Sequence, residues 1–164
     1  MIEMKVFGLA LDEESQVPVL ILKDMTEKAV LPIWIGAMEA MAISLALNEV
    51  KLPRPMTHDL LLRLVEALDA QVVSVNVISL TEGTYYAEIE LEVGGDTRRV
   101  DSRPSDAIAL ALRARAPILV AEPVLQQVAK ESKDATVVAF ASDDAEKWTE
   151  ILEKFDLNDT KYKM

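Results

Sequence analysis

The chain has 164 residues, of which 51% are apolar and 27% charged, with a formal net charge of −11. That length and apolar content suit one globular domain with a sizeable core and exclude an intrinsically disordered chain. The absence of cysteine removes disulfides, thiolate metal sites and cysteine catalysis, and the acidic balance argues against broad nonspecific binding to nucleic acid.

Residues 2–11 (IEMKVFGLAL) alternate loosely and predict a strand. DEESQ turns the chain. Residues 17–24 (VPVLILKD) predict a second strand and 29–36 (AVLPIWIG) a third, with Pro32 requiring an edge position or a bulge. The Ala-, Met- and Leu-rich stretch 37–50 predicts a helix buried on several sides, interrupted early only by Glu39 and Ser44. KLPRP breaks the chain. THDLLLRLVEALDA then predicts a second helix, with Thr57 as N-cap, Asp59 in the first turn, and Met56 and Leu61 at staple positions. Leu60, Leu61, Leu64, Val65 and Leu68 form its apolar stripe.

Residues 71–80 and 85–93 predict a hairpin around TEGT. In its second strand Tyr86, Ile89, Leu91 and Val93 stand against Glu88, Glu90 and Glu92, with a slip near Ala87. TRRVDS is a further strand, RPSDAIALALRARA a third helix stopped by Pro117, ILVAEP a short extended piece, and 124–132 a fourth helix. Residues 1–132 read as the main domain. Residues 133–164 read as a C-terminal extension whose amphipathic helix places Trp148, Ile151, Leu152 and Phe155 on one face. The expected fold is α+β: a mixed or antiparallel sheet with helices on it. MIEMKVFGLALDEE lacks a signal-peptide pattern, and no apolar run approaches the roughly 20 residues of a membrane span, so the expectation is a cytoplasmic protein.

An internal echo accompanies this order. AVLPIWIGAMEAMAISLAL and TRRVDSRPSDAIALAL both run a strand into a helix, and both place a carboxylate before alanine in the first turn, Glu39-Ala40 and Asp106-Ala107. Each follows two hairpin-connected strands, which suggests two β-β-β-α halves with helix N-termini that could face one another. Amides at such ends favour anions.

In DSRPSDAIALALR, Pro104 suits a helix start, Ser105 a cap and Asp106 a first turn, so local structure accounts for them. It accounts less well for Asp101 and Arg103 at the strand end, which could form a salt bridge. RPMTHDLL repeats the Arg-Pro, hydroxyl and aspartate pattern and holds His58, the single histidine, a residue type suited to acid–base work near neutral pH or to metal ligation. The plain alternative is an exposed histidine at a helix start. Glu39 in an apolar helix needs a partner or a capping role. All seven arginines fall within residues 51–115, where the net charge is −2 against −9 elsewhere, so a local anion-binding face is compatible with an acidic protein. No glycine-rich phosphate loop, HExxH spacing or nucleophile elbow is present.

LPIWIGAMEAMAI, RPMTHDLL and VDSRPSDAIALALR, in that order and spacing, resemble the bifunctional nuclease domain family over residues 1 to 130. The resemblance implies an α+β fold with a mixed sheet, a homo-oligomer (dimer or trimer), and cleavage of DNA and RNA as ascribed to plant relatives. It carries no assigned catalytic residues. From the motif positions the candidates are His58, Asp59, Asp106 and Glu39 for catalysis; Arg54, Arg103 and Ser105 for substrate; and Glu39, Asp101 and Asp106 for a divalent ion, Mg²⁺ or Mn²⁺. The alternative is a non-catalytic binding or assembly module in which the same residues cap helices and join subunits. The two readings divide on one point: whether RPMTHDLL meets DSRPSDAIALALR in space.

Overall fold

The computed structural model describes residues 1–131. The C-terminal extension and its amphipathic helix lie outside the described residues. Seven strands and four helices follow in the order β1 (Ile2–Leu11), β2 (Pro18–Asp24), β3 (Val30–Trp34), α1 (Ala37–Leu47), α2 (Thr57–Ala67), β4 (Ala70–Thr81), β5 (Thr84–Val93), β6 (Asp96–Ser102), α3 (Pro104–Ala114), β7 (Ile118–Val120) and α4 (Glu122–Glu131). The fold is α+β, as expected.

One sheet holds all seven strands in the order β3-β2-β1-β7-β4-β5-β6. The two β-β-β-α units form its wings, and the three-residue strand β7 joins them, antiparallel to β1 and parallel to β4. β3 lies at the sheet edge, where Pro32 leaves no ladder donor missing from an interior strand. The wings curl towards each other: the Tyr85 hydroxyl on β5 donates to the Pro32 carbonyl on β3 at 3.1 Å. The core is built from Leu20, Leu22, Leu31, Ile43, Val75, Val77, Ile108, Leu110, Val120 and Val124. α1 and α2 pack against α3 from either side and scarcely touch each other.

Several local expectations change. In β5 the core-facing residue is Ala87, fully buried, while Tyr86 is exposed. The register shift near this point lies between Val77 and Ser79 of β4, so β4 carries the extra residue and β5 alternates without a slip. α1 buries Ala40, Ala42, Ile43 and Ser44 but exposes Met38 and Leu47, so it is covered on one side. The N-cap of α2 is Met56, not Thr57, which moves every cap and staple position by one. The largest change concerns the α2 stripe. Leu60, Leu61, Leu64 and Leu68 face solvent, whereas Leu62 and the half-buried Val65 turn inward. Leu62 and Val65 share a face with His58 at i+4 and i+7, and His58 is held against α3 by a polar contact. That contact sets the rotation of the helix, and the leucine stripe follows outward.

Candidate active site at three helix N-termini

Each of the four described helices has an acidic residue in its first turn, and in three of them it sits one turn in from the cap: Glu39 in α1, Asp59 in α2 and Asp106 in α3. Counting from the N-caps Gly36, Met56 and Arg103, each is the third helical residue, where a carboxylate is favoured by the helix dipole. Arg103 has the extended backbone that a residue before proline adopts, and Pro104 begins α3. Ser105 is therefore inside the helix rather than its cap, and it is buried.

The two motifs do meet. His58 Nε2 lies 3.0 Å from Asp106 Oδ1, across 48 residues of sequence. Arg103 Nε donates to the other carboxylate oxygen, Asp106 Oδ2, at 2.7 Å. A terminal nitrogen of the same guanidinium stands 3.0 Å from Glu39 Oε1. A continuous polar chain thus runs His58–Asp106–Arg103–Glu39 over three helix N-termini. The His58 side chain is 13% exposed and that of Arg103 66% exposed, so the chain passes from a sheltered imidazole to an open guanidinium.

Burial would push the Asp106 carboxyl up, but the hydrogen bonds from Arg103 and His58 outweigh it and hold the group below the usual carboxylate range. An ionised carboxylate only accepts hydrogen bonds, so His58 must present Nε2–H to it. In the neutral ring the basic nitrogen is then Nδ1. The bond to Asp106, and next the bond to Glu39, keep Arg103 firmly protonated.

Gly36 permits the position of Glu39. A methyl group at Gly36 would lie 2.1 Å from Glu39 Oε2, so only glycine leaves room for the carboxylate to fold back over its own helix start.

The other candidates stand apart. Asp59 belongs to a neighbouring cluster: one oxygen accepts the Met56 amide at 2.9 Å, the other the Nε–H of Arg113. Burial raises its pKa, and the Arg113 and Met56 hydrogen bonds outweigh that to leave it lowered. Asp101 is exposed on β6, opposite Glu88, and Arg54 is exposed before α2; neither enters an ion pair among the described residues. Arg99 pairs with Glu90 on the sheet surface at 3.2 Å. No group of three or more histidine or acidic residues is arranged to hold a metal among the described residues. Glu39 and Asp106 turn towards one guanidinium, which takes the place a cation would fill.

This constellation can be set beside known proteins. The bifunctional nuclease domain matches residues 20–133. The chain belongs to the bifunctional nuclease domain family. Two uncharacterized proteins from strains of Mycobacterium tuberculosis are each 38% identical over 163 residues, spanning 97% of this chain and 98% of the relative. Plant members are more distant. Bifunctional nuclease 2 of Oryza sativa subsp. japonica is 28% identical over 69% of this chain and 36% of its own length. Bifunctional nuclease 2 of Arabidopsis thaliana is 32% identical over 55% of this chain and 28% of its own length. In this bifunctional nuclease domain, no helix among the described residues is long and apolar enough to cross a membrane. Sequence reasoning missed Arg113, which ties Asp59 to α3. Its spacing was the available signal, since Arg113 follows Asp106 by seven residues and so shares its face.

Proposed function

We propose that the protein is a phosphodiester hydrolase acting on DNA, RNA or both, with His58 as general base or acid, Asp106 orienting its ring, and Arg103 holding the phosphate. The observation that carries this reading is the 3.0 Å contact between His58 and Asp106, formed by two motifs distant in sequence. An imidazole fixed by an ionised carboxylate is suited to take a proton from an attacking hydroxyl or water through Nδ1. As the new O–P bond forms and the ester P–O bond breaks, the exposed Arg103 guanidinium faces the charge on the phosphoryl oxygens. Glu39 restrains Arg103 from the far side. The names of the plant relatives, bifunctional nucleases, support this reading.

The test is cleavage of labelled single- and double-stranded DNA and RNA in Mg²⁺, Mn²⁺ or EDTA. His58→Ala and Asp106→Ala, checked for folding, run beside the wild type. Loss of about 100-fold or more in folded His58→Ala is expected. Equal residual activity in every variant would mark a contaminant. A requirement for Mg²⁺ or Mn²⁺ would support metal-assisted cleavage, with Glu39, Asp101 and Asp106 as the candidate ligands.

A second reading is an oligomeric binding or assembly module. It is favoured by the satisfaction of both Glu39 and Asp106 by Arg103, and by the leucine stripe that α2 exposes. Absence of cleavage under all those conditions would select it. Self-association is compatible with either reading.

A further inference from the structure

Arg113 lies in the last turn of α3, far along the helix from Arg103 and Asp106, and its side chain is only 10% exposed. Each of its three guanidinium nitrogens donates a hydrogen bond. Nε donates to Asp59 Oδ1 on α2. One terminal nitrogen donates to the Ala109 carbonyl of its own helix at 2.8 Å. The other donates to the Ala42 carbonyl of α1 at 3.1 Å. One side chain therefore binds all three helices, and each of those helices carries part of the polar chain: Glu39 on α1, His58 on α2, Arg103 and Asp106 on α3.

The arrangement goes beyond a single ion pair. α1 and α2 flank α3 and share little direct packing, so side chains that reach both are needed to fix one relative to the other. Asp59 is adjacent to His58 in sequence and is clamped on both oxygens, by the Met56 amide and by Arg113. The start of α2 is thereby located with respect to α3, and the Ala42 contact locates α1. A planar guanidinium holds its donors in fixed in-plane directions, which a lysine ammonium on a flexible stem cannot reproduce.

We propose that Arg113 is a positioning residue that sets the α1–α2–α3 geometry and so holds His58 in hydrogen-bond register with Asp106. The inference rests on reading the His58–Asp106 pair as the working part of the site, and its test does not use cleavage.

His58 is the only histidine of the 164 residues, so a nitrogen-15 NMR spectrum of this chain contains one imidazole side chain, whose two nitrogens report the tautomer directly. In the wild type the Nε2–H form should dominate, with its proton slow to exchange. Asp106→Ala defines the signal when the partner is lost. Arg113→Lys and Arg113→Met should move the tautomer ratio towards that of Asp106→Ala and speed Nε2–H exchange by at least about tenfold. Val77→Ala, a buried change in β4 that removes none of the polar contacts of the three helix starts, loosens the core and should leave the imidazole signals as in wild type. Asp59→Asn keeps an acceptor for Met56 but removes the charge facing Arg113, and should shift the ratio in the same direction.

Folded Arg113 variants with the wild-type tautomer and exchange rate would overturn the proposal. So would a Val77→Ala change as large as theirs, which would mark general loosening. If neither Arg113 variant folds, Asp59→Asn decides in the same two directions. An altered tautomer in a protein that cleaves nothing would leave Arg113 as the positioning residue and remove only the nuclease reading.

Discussion

At Gly36 a single methyl group distinguishes a placed carboxylate from an incidental one. The backbone there is extended and suits any residue, so Gly36→Ala acts only on the Glu39 side chain, which must swing away and give up Arg103. In a urea-unfolding cycle, Gly36→Ala and Glu39→Gln should each cost no more than about 1 kcal/mol, and the double variant no more than the larger single change. Acid sensitivity is the second expectation at this scale. Asp59 and Asp106 both have folded pKa values below the ordinary 3.8. The unfolded chain binds those protons more readily, so their contribution is complete above that value and is lost as pH falls through the lower folded values. Stability should therefore fall as the pH drops below about 4, and less steeply in Asp59→Asn than in wild type. The sequence pointed to Glu39, His58, Arg103 and Asp106 because each broke a local pattern or repeated one. It misplaced Ser105 by treating the hydroxyl as a cap, when proline at the first helical position had already moved the cap to Arg103. Asp101 and Arg54 shared the composition of the motif without its geometry, which residue type cannot reveal.

Among the elements, α2 departs furthest from what its pattern suggests. An apolar stripe ordinarily turns to the core, yet no residue of α2 is buried and Leu60, Leu61, Leu64 and Leu68 lie open. The helix has two apolar faces, and a sequence pattern cannot say which one a distant carboxylate will select. The His58–Asp106 and Asp59–Arg113 contacts select the smaller face. Leu64→Glu should leave the unfolding free energy within about 0.5 kcal/mol of wild type, because the position is exposed in one copy of the chain. Under the expectation of a homo-oligomer covering this stripe, the same substitution should lower the sedimentation mass. An unchanged oligomer in Leu64→Glu would place the interface elsewhere. The strands were more legible. Each predicted strand is present with ends shifted by a residue or two, since alternation and turn residues specify strands locally. The irregularity near Ala87 was visible too, but assigning it to β4 rather than β5 required the pairing itself.

For the molecule as a whole, the repeated β-β-β-α order was readable, while the way the two units join was not. Three residues, Ile118–Val120, are too few for periodicity to show that they form the central strand. Across the curl of the sheet, the Tyr85–Pro32 hydrogen bond ties one wing to the other. Tyr85→Phe should cost about 1 kcal/mol, read as a lower urea midpoint with an unchanged slope. The position of β7 also bears on how the chain is made. Of the described strands β1 leaves the ribosome before the others, yet its partner on one side is Ile118–Val120, and β4 awaits the same three residues. Each wing can form its hairpins during synthesis, but the sheet cannot close until nearly all of the described chain has emerged. Contacts between Ile2 and Val120 make that closure a late, long-range event. The polar chain of the site belongs to the same late stage, since α1 comes from the first wing and α3 from the second. A nascent chain halted before residue 118 would hold His58 and Glu39 with no seam to bring the wings together.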